Sequence, residues 1–280
     1  MPQIRLVKRS DFRSIIELTN QEDWGFRVPD LERMKALQPK GCLVATVGGR
    51  PIGFTTAIAY GRDVGWIGNV VVSKQHRGAG IGSSLVQTGI SHLLRVRVKK
   101  IGLFSYPENE AMYKRLGFDT TGSFDRLSVS HGTEDSTEGI GRIPLHQILS
   151  LDKRAFEADR SKLLRRLYRE LPKRWSWVTN IAGISGYSLV KQYQDSSEIG
   201  PLICEDMNQE SIGKLLSSSV ALTDKWPLEM TVPESNSSII EAAARHGFRV
   251  ERKGFVMSYV RLRPIAIAAS VGAFGFLDKG

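Results

Sequence analysis

The stretch "GNVVVSKQHRGAGIGSSLVQ", residues 68–87, joins an apolar run to a glycine-rich loop and then to a helical pattern. The valines predict a strand, and the periodicity after Ile81 predicts a helix. Between them, Gly78, Gly80 and Gly82 predict a loop whose backbone lies close to a ligand. Because the N–H groups at a helix N-terminus attract anions, the stretch predicts an anion cradle, such as a phosphate site.

Composition bounds the class of protein. The chain has 280 residues, of which 41% are hydrophobic and 24% charged, as in a globular protein of two ordinary domains. Its two cysteines have no CxxC partner and its five histidines are scattered, so we predict neither a disulfide framework nor a metal site. The N-terminus lacks an apolar signal core, and the apolar run at 265–276 is too short to span a membrane. We therefore expect a cytoplasmic protein without a membrane partner.

The net charge of +10 is unevenly distributed. Residues 1–128 carry 19 Lys and Arg against 11 Asp and Glu, whereas residues 129–280 carry 20 against 18. A basic first half suits an anionic ligand, either a nucleotide cofactor or nucleic acid. The basic run at 95–100 lies at a predicted helix C-terminus, where cations suit the helix dipole, and no motif of interleaved aromatic and basic residues accompanies it. We therefore do not expect a nucleic-acid partner.

A segment of residues typical of loops divides the chain in two. The polar, glycine-containing segment at 128–139 has no periodicity and predicts a linker. Before it, strand-like runs alternate with helical patterns, and the Gly48-Gly49 pair predicts a hairpin turn. This order predicts an α/β domain with a mixed sheet. We assign residues 1–128 to a first domain, 129–140 to a linker and 141–280 to a second domain.

The second half repeats the plan of the first. Gly53 and Gly68 are 15 positions apart, and Gly186 and Gly200 are 14 apart in a similar setting. The copies differ at the anion loop, where "SKQHRGAGIG" of the first copy is replaced by "EDMNQESIG". An acidic loop without glycines would repel a phosphate, so we expect one working site per chain.

Two nucleotide-binding motifs fit the loop poorly. A P-loop requires a lysine after its last glycine, but Gly82 is followed by serines. A dinucleotide fingerprint requires a third glycine where Ser83 stands, and an acidic residue near the position that the pair Lys99-Lys100 occupies. That basic pair would suit a 2′-phosphate, so an NADP-binding protein remains an alternative.

A third motif fits better. Gln75, Gly78 and Gly80, in the order Q-x-x-G-x-G after an apolar strand, resemble the acyl-CoA signature of the GNAT N-acetyltransferase superfamily. The segment Tyr113–Phe118 resembles the Tyr-x-x-x-Gly-Phe pattern that ends a later helix in that superfamily. The segment "NQEDWGF" and the degenerate second copy resemble the YitH/HolE-type members, in which a GNAT-like domain follows a GNAT domain.

The resemblance implies a fold and a reaction. It implies an α/β fold with a GNAT-like mixed sheet flanked by helices, in two tandem copies, of which the first is catalytic and binds acetyl-CoA. An acetyl group would pass to a small-molecule or protein amine by direct attack. The backbone N–H of Val70 would stabilise the oxyanion, and Tyr113 would protonate the leaving thiolate as general acid. Ala243 stands at the place of Tyr113 in the second copy, which is therefore expected to be inactive.

The resemblance also implies the binding residues. The acetyl-CoA-binding set is Val70, Val71, Val72, Gln75, His76, Arg77, Gly78, Ala79, Gly80, Ile81, Gly82 and Ser83. The acceptor-site candidates, any of whose carboxylates would serve as the base, are Glu22, Asp23, Trp24 and Asp63. A protein that binds acyl-CoA as a sensor, without turnover, is the alternative from another functional class.

Overall fold

Gly48 and Gly49 form the tight turn of a hairpin in the computed structural model, which describes residues 2–132, 139–156 and 158–275. Both glycines have positive φ values, of 56° and 81°, as a two-residue hairpin turn requires. Val47 pairs with Arg50 across the turn. The hairpin predicted from the sequence is therefore confirmed.

A sheet with helices packed on it forms the first half of the chain. The strands run in the spatial order β1-β2-β3-β4-β5, with β4 and β5 parallel and the other pairs antiparallel. The strands are β1 (Gln3–Leu6), β2 (Cys42–Val47), β3 (Arg50–Tyr60), β4 (Val64–Val72) and β5 (Lys100–Ser105). The helices are α1 (Phe12–Asn20), α2 (Val28–Leu37), α3 (Ile81–Val96) and α4 (Pro107–Arg115).

The second half repeats this arrangement. The order β2-β3-β4-β5 recurs as β7-β8-β9-β10, again with the last pair parallel. The strands are β6 (Phe118–Val129), β7 (Trp175–Asn180), β8 (Gly183–Gln192), β9 (Ser197–Cys204), β10 (Leu228–Pro233), β11 (Arg249–Tyr259) and β12 (Val271–Ala273). The helices are α5 (Leu145–Phe156), α6 (Ser161–Glu170), α7 (Gln209–Ala221) and α8 (Ser237–Arg245). The predicted mixed sheet in two tandem copies is confirmed.

Two compact units are built from these elements, but they do not follow the chain order. Of the described residues, one unit contains 2–121 and 256–265, and the other contains 122–255 and 266–275. The first unit is thus completed by the end of β11, and Val260 N–H donates to the carbonyl oxygen of Gly117 (2.9 Å). The predicted boundaries at 128 and 141 describe the sequence copies rather than these units. Of the predicted linker, 133–138 lie outside the described residues.

Each unit has its own apolar core. In the first, α3 contributes Ile81 and Leu85, which pack against side chains of the β2–β3 hairpin. In the second, α7 and α8 cover β9 and β10 and bury, among others, Ile199, Leu215 and Ile239. Each large apolar side chain that is fully buried in these cores stabilises the fold by roughly 2 kcal/mol.

The length and polarity of the helices determine whether any of them could span a membrane. Within residues 2–132, 139–156 and 158–275, none of the helices combines the length and the apolar character needed to cross a bilayer.

Candidate functional site

The glycine-rich loop leads from β4 into α3. A short 3-10 turn, Lys74–His76, follows the strand, and α3 begins at Ile81 directly after the loop. Gly78 and Gly80 have φ values of +79° and +75°, a region that side chains with a Cβ rarely adopt. The sequence therefore needs glycine at both places to turn the chain into the helix.

The surface of this loop is open. A Cβ placed on Gly78 or Gly80 would have no heavy atom within 4 Å, so space lies in front of the backbone. Ala79 and Gly80 are exposed, and the first N–H groups of α3 come directly after them. The positive end of a 16-residue helix therefore faces an accessible surface, as an anion site requires.

Charged and polar side chains border the loop. Arg77 Nε donates to the carbonyl oxygen of Val72 (3.1 Å), and its other guanidinium nitrogen forms an ion pair with Glu22. His76 Nδ1 lies 2.7 Å from Ser73 Oγ, which fixes the ring beside the turn. Gln75 is exposed. The ion pair between Arg77 and Glu22 was not predicted, because the two residues are 55 positions apart.

Strands β4 and β5 separate beside this loop. Their parallel pairing extends from Val64↔Lys100 to Ile67↔Leu103. Among the described strands β4 pairs with β3 and β5, so beyond Ile67 its edge toward β5 is open. That edge includes Val70, Val71 and Val72, the predicted donor-binding strand residues. An unpaired strand edge offers N–H and C=O groups to an extended ligand.

A β-bulge precedes the open edge. Asn69 has φ +57°, and the pairing of β4 with β3 shifts between Phe54 and Thr56. Asn tolerates this left-handed conformation, and its Nδ2 donates to Thr56 Oγ1 (2.9 Å) inside the protein. Bulges change the direction of the residues that follow them, here Val70. A polar Asn within an apolar strand was the sequence signal for this bulge.

Tyr113 lies on α4 and is 7% exposed. Its ring meets Phe118 edge-on, with centroids 6.2 Å apart, and burial raises the pKa of its hydroxyl. The hydroxyl is therefore protonated at neutral pH, the state that a proton donor needs. A Cβ on Gly82 would lie 3.7 Å from Val72 and 3.9 Å from Met112, so α4 reaches the start of α3 and the end of β4.

Three of the four predicted acceptor residues lie in one loop. Glu22, Asp23 and Trp24 follow α1, and the ion pair of Glu22 brings this loop to Arg77. Asp23 is exposed and has φ +57°, a strained conformation for a residue with a Cβ. The Trp24 ring packs against Phe26, with centroids 5.8 Å apart.

Asp63 is not brought to this loop. It precedes β4 at the end opposite to the glycines, where its carboxylate forms an ion pair with Lys99 (2.8 Å). The strand places it roughly 20 Å from Val70, at about 3.3 Å per residue. The direction of β4 thus places Asp63 away from the glycine loop, and its assignment to the acceptor site stays a prediction.

The second unit lacks the corresponding features. Residues 205–208 join β9 to α7, and the Asn208 side chain accepts a hydrogen bond from Ser211 N–H (2.8 Å) at the helix N-terminus. A side chain of the protein thus binds a backbone N–H at this helix N-terminus, whereas the N-terminus of α3 has no side-chain cap. Ala243 is fully buried in the core, and its methyl side chain cannot donate a proton. In the described part of the chain, no three His, Cys, Asp or Glu side chains cluster in a way that could hold a metal ion.

Comparison with protein families gives two matches. Residues 9–118 match the model described as "Acetyltransferase (GNAT) family", and residues 148–266 match the model described as "Acetyltransferase (GNAT) domain". The two matches together cover most of the chain. They correspond to the two copies that the sequence predicts.

Individual proteins resemble the chain along most of its length. The holothin acyltransferase of Pseudoalteromonas sp. (strain SANK 73390) is 23% identical, over 85% of this chain and 81% of its own. The N-acetyltransferase YitH of Bacillus subtilis (strain 168), whose function is uncharacterised, is 23% identical over 90% and 89%.

The crystal structure of a candidate acetyltransferase from Pyrococcus horikoshii superposes with a TM-score of 0.83 at 21% identity, covering 100% of this chain and 96% of the other. This likeness supports the fold. The predicted enzyme class, a GNAT-type N-acetyltransferase, is confirmed at the level of the family. From its two matched domains and the strand order that recurs in its two halves, the chain belongs to the GNAT acetyltransferase family and carries two GNAT domains in tandem.

Proposed function

We propose that the first unit transfers an acetyl group from acetyl-CoA to an amine. The observation that carries the proposal is the open edge of β4, which lies between the bulge at Asn69 and the exposed glycine loop. An extended arm that ends in a pyrophosphate fits such a site, because the edge can pair with the arm while the loop holds the phosphates. GNAT enzymes generally use acyl-CoA, which supports this donor class.

The residues of the loop would hold the donor. The backbone N–H groups around Gly78, Gly80 and Ile81 bind the pyrophosphate, and Gln75 and Arg77 flank it. Val70, Val71 and Val72 pair with the amide-containing arm along the strand. The donor supplies the acetyl group as an activated thioester.

Two groups of the chain act on the transfer. The Val70 N–H, turned by the bulge, donates to the oxygen that gains negative charge as the amine attacks. The C–N bond forms and the C–S bond breaks, and the Tyr113 hydroxyl gives its proton to the departing sulfur. Attack is direct, so no nucleophilic side chain is needed.

The loop after α1 would bind the acceptor. Trp24 offers an aromatic wall, and the carboxylates of Glu22 and Asp23 attract the cationic form of an amine and are candidates to take its proton. Either a small amine or a protein amine suits an open loop of this kind. Both cysteines are buried free thiols, which supports a reducing, cytoplasmic location.

Thermal unfolding in the presence of ligands tests the donor. Acetyl-CoA, CoA, NADPH and ATP are compared at equal concentration, and a ligand at about 100 times its Kd adds roughly 2.7 kcal/mol of stability. We expect only the CoA compounds to stabilise the protein. Stabilisation by NADPH and not by acetyl-CoA would replace the proposal with the dinucleotide alternative.

Turnover distinguishes the enzyme from a sensor. Release of the CoA thiol is followed with a panel of small amines, amino acids and lysine peptides, and with acetyl, propionyl and longer acyl donors. The wider donor panel is included because one relative is named an acyltransferase. Tight donor binding without thiol release for any acceptor would favour the acyl-CoA sensor.

A further inference from the structure

The edge of β9 in the second unit is occupied along its length. At its start, β9 pairs in parallel with β10, from Leu228↔Ser197 to Met230↔Ile199. Further along, β12 pairs antiparallel with the same strand, with Val271 opposite Ile203 and Ala273 opposite Leu202. Because β8 pairs with the other edge of β9, β12 continues the edge that β10 begins.

Hydrogen bonds tie β12 to both diverging strands. Cys204 N–H on β9 donates to the carbonyl oxygen of Ser270 (3.0 Å), and Phe274 N–H donates to the carbonyl oxygen of Thr231 on β10 (2.9 Å). From the loop before α8, Asn236 Nδ2 donates to the carbonyl oxygen of Val271 (3.0 Å). The segment therefore lies as a wedge in the gap between the two strands.

The segment fits closely into the gap between the two strands. A Cβ on Gly272 would lie 2.4 Å from a methyl group of Leu202 and 2.8 Å from one of Ile239, so a larger residue there requires both side chains to shift. Val271 and Ala273 on either side are 1% and 0% exposed. Backbone pairing and a close steric fit are together the features of a groove that binds an extended peptide.

We infer that the cleft between β9 and β10 is a strand-binding groove, and that residues 270–274 of the chain itself are its ligand. The position is that of the open edge beside β4, where β4 and β5 separate in the first unit. The comparison with a donor site at β4 rests on the proposed function. The assignment of the groove at β9 does not depend on it. The second unit thus binds an extended segment of its own chain along the edge of β9.

Hydrogen exchange in the full-length chain tests the groove. The Gly272→Val variant places methyl groups against Leu202 and Ile239 and is expected to expel the segment. The amide of Cys204, which is bonded to Ser270, would then exchange at least tenfold faster, while amides of α3 in the first unit keep their protection. The matched control is Gly213→Val, since a Cβ on Gly213 meets nothing closer than His246 at 3.9 Å.

A synthetic peptide of residues 265–280 shows whether the groove binds a strand. Added to the Gly272→Val chain, it should restore slow exchange at Cys204, and the same peptide with valine in place of its Gly272 should not. Fast exchange that the peptide leaves unchanged, or equal exchange in Gly272→Val and Gly213→Val, would overturn the inference.

A milder variant covers the case in which Gly272→Val does not fold. Asn236→Ala removes hydrogen bonds from the segment without adding bulk, and should accelerate exchange at Cys204 and Phe274 severalfold. Unchanged exchange at both amides would again overturn the inference. Neither measurement needs a donor or turnover. A negative result would therefore overturn the groove without bearing on the proposed function.

Discussion

The edges of β4 and β9 occupy equivalent positions in the two units but differ in whether another strand covers them. Both strands carry a pairing shift, between Phe54 and Thr56 for β4 and between Ser188 and Val190 for β9. The edge of β4 is open beyond Ile67, whereas that of β9 is occupied by β12. The shared bulge is therefore a property of the fold, and access to the strand edge is what separates the units.

The loops after these strands differ in the same sense. The first unit has glycines with open space before them, and the second has Glu205 and Asp206 followed by a capped helix. Negative charge and a side-chain cap both disfavour a phosphate. Either the lack of a glycine loop or the occupied strand edge would prevent the proposed donor from binding to the second unit.

The largest expected effect is on donor binding. Gly80→Glu forces a side chain into φ +75° and puts a carboxylate where a pyrophosphate is proposed to bind, so acetyl-CoA affinity should fall more than 100-fold. Titration calorimetry measures it. The matched change in the second unit is Met207→Gly, at φ +44°, which should leave affinity unchanged. Equal loss in both variants would contradict the division of roles between the units.

Tyr113→Phe should lower kcat by about 100-fold, as the loss of a general acid does, while the Kd for acetyl-CoA stays the same. The control is Tyr106→Phe, at the start of the same helix. Because burial raises the pKa of Tyr113, wild-type activity should not fall through deprotonation of this group below pH 10. Steady-state rates from pH 6 to pH 10 test this, and unchanged turnover in Tyr113→Phe would remove the assignment.

The bulge is tested by two substitutions at one position. Asn69→Val cannot adopt φ +57° without strain and loses the hydrogen bond to Thr56, so stability should fall by about 2–3 kcal/mol and donor affinity about tenfold. Asn69→Gly keeps the conformation and should cost about 1 kcal/mol with little loss of affinity. Denaturant unfolding and calorimetry measure both. If the two variants behave alike, the side chain rather than the backbone conformation matters.

The smallest effect concerns acid stability of the first unit. Arg5 donates two hydrogen bonds to Asp11, of 2.7 and 2.8 Å, and this lowers the pKa of Asp11 below its usual value. The stabilisation is therefore complete above the ordinary pKa near 4 and is lost as pH falls through the lowered pKa. Asp11→Asn should lower the free energy of unfolding by about 1 kcal/mol at pH 7, which corresponds to a fall in Tm of a few degrees. The difference in Tm from wild type should shrink at low pH. A constant difference at every pH would contradict this.

Local patterns predicted much of this molecule. The glycine loop, the Gly48-Gly49 hairpin and the repeated succession of strands and helices all depend on residues close in sequence, where turn chemistry and periodicity decide the structure. The pairing of Glu22 with Arg77 and the placement of β12 against β9 join residues far apart in the chain. No local pattern specifies which edge a strand joins, because packing of the whole sheet determines it.

Two placements could not be deduced from the sequence. Asp63 is adjacent to β4 in sequence but lies at the end of the strand opposite to the glycines, and the first unit includes residues 256–265, far beyond the predicted boundary at 128. The bulge at Asn69 was legible only as an Asn inside an apolar run. A side chain inconsistent with its local pattern is thus a signal for the site that the sequence analysis did not use.

The composition of the first unit has a consequence for synthesis of the chain. Residues 256–265 complete it, so residues 122–255 of the second unit must be synthesised before the first unit can finish folding. A chain that stops early has the glycine loop and Tyr113 but lacks the strand end whose Tyr259 packs on Phe118 (centroids 5.4 Å apart). We therefore expect a chain that ends before residue 256 to leave the first unit incompletely folded.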